Sequence, residues 1–70
     1  MHVQYTSPQM QSAFTNELNN EITVASHLVD SGEGYQEMEI SIQGPTSSSS
    51  WVITMAEAKE VHRQMTLLLA

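Results

Sequence analysis

Acidic side chains gather in one short stretch of this chain and are the first candidates for chemistry. Asp30, Glu33, Glu37 and Glu39 supply half of its eight acids. Glu37 and Glu39 are two residues apart, which corresponds to about 6.6–6.8 Å along a strand. Paired carboxylates can act as acid and base, but such pairs work in clefts that shift their pKa values. A solvent-facing strand in a 70-residue chain offers little cleft, so we expect no catalytic residues and no enzyme activity.

Histidine and serine, the other residue types with chemical potential, lack the spacing that a site requires. A zinc site usually takes three or four converging ligands, whereas the three histidines lie far apart in sequence, at His2, His27 and His62. The serines of 47–50 form a low-complexity run, and a nucleophilic serine needs a positioned base and an oxyanion hole. There is no cysteine to form a disulfide or a thiolate site. We therefore expect no metal and no cofactor.

The distribution of charge is the strongest functional signal in the sequence. The net charge is −6, and the only basic residues are Lys59 and Arg63, so residues 1–54 contain neither lysine nor arginine. Nucleic-acid affinity rests largely on lysine and arginine neutralising phosphates. Direct binding of nucleic acid or of an anionic membrane is therefore disfavoured, and a basic partner is favoured.

The pattern of apolar and turn residues predicts an α+β fold of order (β)αβββα. Ser7 and Pro8 form a helix-start signal, and Met10, Phe14 and Leu18 recur at helical spacing, so a helix is predicted over 8–18. Alternating residues then predict a three-stranded antiparallel sheet from the segments 21–29, 35–43 and 51–55. An edge strand over 2–6 and a loop over 44–50 complete the prediction.

The last twenty residues predict a C-terminal helix that packs on one face of this sheet. Thr54 and Glu57 form a capping box at its start. One helical stripe is expected to pack on the sheet as core, against Met38, Ile40 and Ile42; it comprises Ala58, Val61, Met65, Leu68 and Leu69. Leu67 falls on the opposite side and is either a frayed end or a contact for another chain.

An acidic hairpin with one aromatic residue is the candidate binding surface. Tyr35 is expected to share a face with Glu37 and Glu39, and tyrosine is common at the energetic centres of interfaces. The alternative is an ordinary solvated strand face. The predicted partner-binding residues are Asp30, Glu33, Tyr35, Glu37, Glu39 and Leu67.

Length and composition indicate a single domain over 1–70 that needs support from another chain. Domains this small bury a limited share of their surface and are marginally stable without disulfides, a metal or a partner. A homodimer or a complex with another protein would supply that support. The first residues show no basic segment followed by an apolar run, and the absence of cysteine suits a reducing compartment, so a cytoplasmic protein is expected.

Two resemblances bear on function. The predicted α-β-β-β-α order resembles the double-stranded-RNA-binding domain, and "EAKEVHRQM" is similar to the last helix of that family, which uses basic residues there to hold phosphates. Here the corresponding segment "TMAEAKE" has only Lys59. In overall character the chain also resembles small acidic phage-encoded anti-defence proteins of the anti-CRISPR type, which typically occupy a basic nucleic-acid-binding surface of a host protein.

The leading hypothesis is accordingly a non-enzymatic inhibitor that docks an acidic surface on a basic host protein or nucleoprotein complex. The host cytoplasm would be its location if the chain is phage-encoded. The first alternative is a small oligomerising structural or regulatory module, such as an antitoxin-like dimer, which would use apolar surface instead. The second alternative is a degenerate RNA-binding domain.

Overall fold

The computed structural model describes the backbone of residues 4–5 and all of residues 7–70. Five strands precede one helix along the chain. Their bounds are β1 Gln4–Tyr5, β2 Met10–Thr15, β3 Glu21–Asp30, β4 Gln36–Gln43, β5 Ser48–Thr54 and α1 Met55–Leu69. Of the edge strand predicted over 2–6, residues 4–5 are a strand, and residues 2, 3 and 6 lie outside the described part.

All five strands form one antiparallel sheet that is four strands wide. The order is β1-β3-β4-β5, and β2 also pairs with β3. β1 pairs with the end of β3, at Val29 and Asp30, whereas β2 pairs with 21–26. β1 and β2 therefore lie end to end along the same edge of β3. The predicted three-stranded sheet is wrong, because it lacked this outer row.

The predicted N-terminal helix over 8–18 is also wrong, since its central residues form β2. Met10 and Phe14 are four residues apart, and an even spacing places two side chains on one face of a strand as well as on one side of a helix. Asn16 decides the outcome, because its side-chain oxygen accepts hydrogen bonds from the backbone N–H of Leu18 and of Asn20. Together with Asn19 at φ 63°, it turns the chain into a hairpin with β3.

Ser7 and Pro8 separate β1 from β2 instead of starting a helix. Proline has no N–H to donate to the neighbouring strand, and the ladder stops there. The Ser7 hydroxyl accepts a hydrogen bond from the backbone N–H of Leu28 at 2.8 Å. The side chain thus takes the place of a backbone acceptor at the interruption.

The strand register separates the side chains into two faces, as alternation along β3 and β4 predicts. One, which we call the apolar face, comprises Met10, Ser12, Phe14, Ile22, Val24, Ser26, Leu28, Met38, Ile40, Ile42, Ser49, Trp51 and Ile53. The opposite one, the polar face, comprises Gln11, Ala13, Thr15, Glu21, Thr23, Ala25, His27, Val29, Glu37, Glu39, Ser41, Gln43, Ser48, Ser50, Val52 and Thr54. The first charge on the apolar side is Asp30, at the end of β3.

The third predicted strand is present but starts earlier than expected. β5 begins at Ser48, so three of the four serines assigned to a loop are part of a strand. They pair with Gln43, Ile42 and Ser41 of β4. The connection closes where the N–H of Gly44 donates to the carbonyl of Ser47 at 2.8 Å. Pairing with β4 therefore extends the strand into a segment whose own composition indicates a loop.

The C-terminal helix begins as predicted and packs on the apolar face. The Thr54 hydroxyl accepts from the N–H of Glu57, whose carboxylate accepts in return from the N–H of Thr54. A groove of about 200 Å³ separates helix from sheet and is lined by Met38, Ile40, Ile53, Ala58, Val61, His62 and Met65. Ile42 does not line it. Leu68 and Leu69, which were predicted to be core, are 82% and 83% exposed, so that prediction is wrong.

The chain has almost no interior of its own. Val29, 2% exposed, is the one buried hydrophobic residue in the described part. The Cα radius of gyration is 13.7 Å, against about 11 Å for a compact domain of this length. A sheet covered over part of one face by a single helix leaves most side chains exposed. Val29 itself lies on the polar face, opposite the helix.

Candidate protein-binding surfaces

The carboxylates of Glu37 and Glu39 project from the polar face, on the side of the sheet opposite the helix. Both residues are half-buried, Glu37 as the second residue of β4 and Glu39 near the middle of the strand. Their cross-strand neighbours differ, since Glu37 lies between Val29 and Thr54 whereas Glu39 lies between His27 and Val52. The structure thus confirms that the two glutamates share one face, and it gives them unlike surroundings.

Glu39 is paired with a histidine that the sequence analysis had not connected to it. Oε1 of Glu39 lies 2.5 Å from Nε2 of His27, directly across the β3–β4 ladder. The side chain of His27 is 8% exposed and that of Glu39 is 25% exposed. The pair is a salt bridge only when the imidazole is protonated. Glu39 is consequently engaged within the fold, and Glu37 is the freer candidate for an external partner.

The other three predicted residues of the acidic hairpin lie around its turn. The carboxylate of Asp30 accepts from the N–H of Gly32 at 2.8 Å, so it helps to shape the turn. Tyr35 is placed in the turn, just before β4, and its carbonyl accepts from the N–H of Ser31. Glu33 is exposed at the tip. Tyr35 and Asp30 line a shallow depression of about 390 Å³ beyond the strand ends.

Leu67 is not brought together with these acids. It is 67% exposed and, at 100° per residue, lies on the side of α1 opposite the stripe of Val61 and Met65 that faces the sheet. The helix and the sheet therefore both lie between Leu67 and the polar face. The predicted set divides into a group on the polar face and its hairpin turn, and a separate leucine on the outer side of the helix.

The two basic residues also lie on the outer side of the helix. Arg63 donates two hydrogen bonds to the carboxylate of Glu60, at 3.1 and 2.7 Å. Both groups are exposed, so the pair contributes little to stability. The pKa of Glu60 is lowered mainly by the hydrogen bonds from Arg63 and to a smaller extent by the one from Gln64. The contact with Glu60 in turn raises the pKa of Arg63. Neither cation faces Glu37 or Glu39.

The described residues offer no cluster for metal chemistry. No three of their histidine and acidic side chains stand close enough together to hold an ion. The His27–Glu39 pair has no third such ligand in the described part. In the same part of the chain, no helix combines the length and apolarity needed to cross a bilayer.

The largest feature that the sequence analysis missed is the uncovered part of the apolar face. Within the described elements, the helix approaches β4 and β5 alone, so side chains of β2 and the start of β5 remain open. Met10 is 74% exposed, Phe14 49% and Trp51 50%. Met10 and Phe14 stand at even spacing, and the residues at 11, 13 and 15 are polar or small. This alternation was the signal that could have indicated the face.

Comparison with known proteins adds no relative. No family model, no curated protein and no solved structure matches the chain.

Proposed function

We propose that this chain is a non-enzymatic protein-binding inhibitor that places the polar face of its sheet on a basic surface of another protein. A basic surface that normally binds nucleic acid is the natural target, as for inhibitors of the phage anti-defence type. The supporting observation is the separation of charge. Glu37 and Glu39 face one side of the molecule, while Lys59 and Arg63 lie beyond the sheet on the outer side of the helix.

The polar face combines negative charge with accessible apolar surface. Val52, beside Glu39 in the register, is 50% exposed. Protein interfaces usually place apolar contacts at the centre and charged groups around them. A basic partner could therefore bury Val52 while its lysine or arginine side chains meet Glu37 and the exposed carboxylate of Glu21.

Electrostatic attraction would act mainly on the rate of association. Complementary charges accelerate the encounter of two proteins, and salt screens them. Binding through the polar face should therefore slow as the ionic strength rises, with a smaller change in the dissociation rate. A cytoplasmic setting fits this proposal, because the chain has no cysteine to oxidise.

A charge-reversal pair tests the surface directly. Glu37→Lys changes the polar face, whereas Glu17→Lys makes the same change of charge at an exposed position of the β2–β3 turn. The immobilised wild-type chain is used to capture basic proteins from cell extract at low salt, and each captured protein is then purified. Its affinity for the two variants is measured by biolayer interferometry.

We expect Glu17→Lys to bind like the wild type and Glu37→Lys to lose about 10-fold or more in affinity. Equal binding by both variants would contradict the proposed surface. Nucleic acid that stays with the purified chain at low salt would contradict it as well and would favour the RNA-binding alternative. Glu39 is left unchanged in this test, because its pairing with His27 would mix binding with stability.

A further inference from the structure

The chain exposes more surface than a folded monomer of its mass normally does. The accessible surface is 5743 Å², whereas a folded monomer of 7.8 kDa exposes about 4,400 Å². The excess is about 1,300 Å² per chain. Two chains that each bury this area form an interface of about 2,600 Å², which is in the range of permanent homodimers.

The end of the helix carries apolar side chains past the chain's own sheet. Leu68 and Leu69 continue the stripe of Val61 and Met65 that faces the groove, and both leucines are more than four-fifths exposed. Among the described elements, meanwhile, no helix lies over β2 or β3. Each chain thus has an uncovered strip of sheet and an unpacked helix end.

A second copy of the chain would cover the exposed strip of sheet and would also pack against the exposed helix end. In a twofold dimer the same patch serves both partners, so a helix end placed on the partner's sheet is matched by the reciprocal contact. A depression of about 390 Å³ on this face, with Met10, Leu28 and Met38 in its lining, offers room for a leucine side chain.

Charge also favours a second copy over a basic partner at this face. The chain has a net charge of −6, so two copies repel each other least when they meet across uncharged surface with their acids on the far sides. None of the thirteen side chains that define the apolar face is charged. A basic partner gains nothing there, whereas the polar face lies on the other side of the sheet and stays free.

We infer that this chain is a homodimer in which two apolar faces pack together, with the Leu68 and Leu69 end of each helix on the sheet of the other copy. This goes beyond the proposed inhibitor function and does not depend on it. The dimer would present two acidic polar faces on its outer sides, one from each copy. It would also supply the shared interior that one chain lacks.

The first experiment uses the unmodified chain and needs no variant. At about 100 µM, sedimentation equilibrium should give twice the chain mass of 7.8 kDa. Trp51 is the single tryptophan and lies on the apolar face, so its emission should move to longer wavelength on dilution, together with the fall in mass. A folded monomer at about 100 µM, judged by circular dichroism, would overturn the inference.

Two matched pairs of substitutions then locate the interface. Phe14→Lys and Leu68→Lys place a charge on the inferred interface, whereas Ala13→Lys and Leu67→Lys place the same charge on the opposite side of the same strand and helix. We expect the first of each pair to weaken dimerisation about 100-fold or more, because a lysine would be buried without a partner.

The two control variants should remain dimers. If Phe14→Lys and Leu68→Lys are as dimeric as their controls, the dimer uses another surface and the inference is wrong. If either variant unfolds at a concentration where the wild type is a folded dimer, while its control stays folded, folding depends on this interface, as inferred. The dimer and the proposed inhibitor function are tested separately. Glu37→Lys should lose binding to the basic partner and still form the dimer.

Discussion

The hydroxyl of Ser7 accepts a hydrogen bond from the backbone N–H of Leu28 at 2.8 Å, across the gap between β1 and β2. Ser7 itself is half-buried, and Leu28 is in the longest strand of the sheet. A side chain therefore joins two short strands into one edge row. Buried amides that lose such an acceptor destabilise a fold because their desolvation is no longer offset.

Ser7→Ala should lower the free energy of unfolding by about 1–3 kcal/mol, because the Leu28 amide loses its acceptor. Ser7→Thr keeps a hydroxyl and should stay within about 0.5 kcal/mol of the wild type. Urea unfolding checks both, at one fixed protein concentration because association shifts apparent stability. Equal stability of the alanine and threonine variants would show that this bond is unimportant.

Asn16 should determine whether residues 10–15 stay in the sheet. Asn16→Ala removes the acceptor for the N–H groups of Leu18 and Asn20, and we expect a loss of about 1–2 kcal/mol. Asn16→Asp keeps an acceptor oxygen and should be closer to the wild type. Hydrogen exchange should become faster in β2 and change less in β4 of the alanine variant. Uniformly unchanged exchange would contradict the role assigned to this turn.

The His27–Glu39 pair should matter more for stability than the neighbouring Glu37. Glu39→Ala removes the carboxylate from a histidine whose side chain is 8% exposed, and about 1–3 kcal/mol should be lost. Glu37→Ala is the matched control on the same face of the same strand, opposite Val29. We expect it to change stability by about 0.5 kcal/mol or less. Thermal unfolding at neutral pH compares the two, and equal losses would argue against the pairing.

The pKa of Glu60 should respond to Arg63. The folded-state pKa lies below the ordinary value because Arg63, and then Gln64, donate to the carboxylate. A lowered pKa means that the contact stabilises the chain at pH values above the ordinary pKa, and that this contribution disappears as the pH falls through the folded-state value. Arg63→Ala should raise the pKa of Glu60, as followed by carbon NMR of its carboxyl group. Arg63→Lys keeps a positive charge and should raise it less, and an unshifted Glu60 in the alanine variant would contradict the contact.

Local signals in the sequence were sufficient where a structure depends on neighbouring residues. The Thr54–Glu57 capping box closes within one helical turn, so four residues determine where α1 begins. Strict alternation along 36–43 likewise specifies a strand with unlike faces, and Glu37 and Glu39 share one of them as predicted. The absence of lysine and arginine before Lys59 is a property of composition that no fold can change.

Tertiary contacts decided the remaining elements. The spacing of Met10 and Phe14 suits a helix and a strand equally, and only pairing with β3 through the Asn16 turn selects the strand. Ser48–Ser50 join β5 because β4 supplies partners for their backbone groups. The exposure of Leu68 and Leu69 depends on where the helix passes the edge of the sheet. Periodicity shows which side chains share one side of a helix or strand. Whether another helix or strand packs against that side is determined by distant parts of the chain.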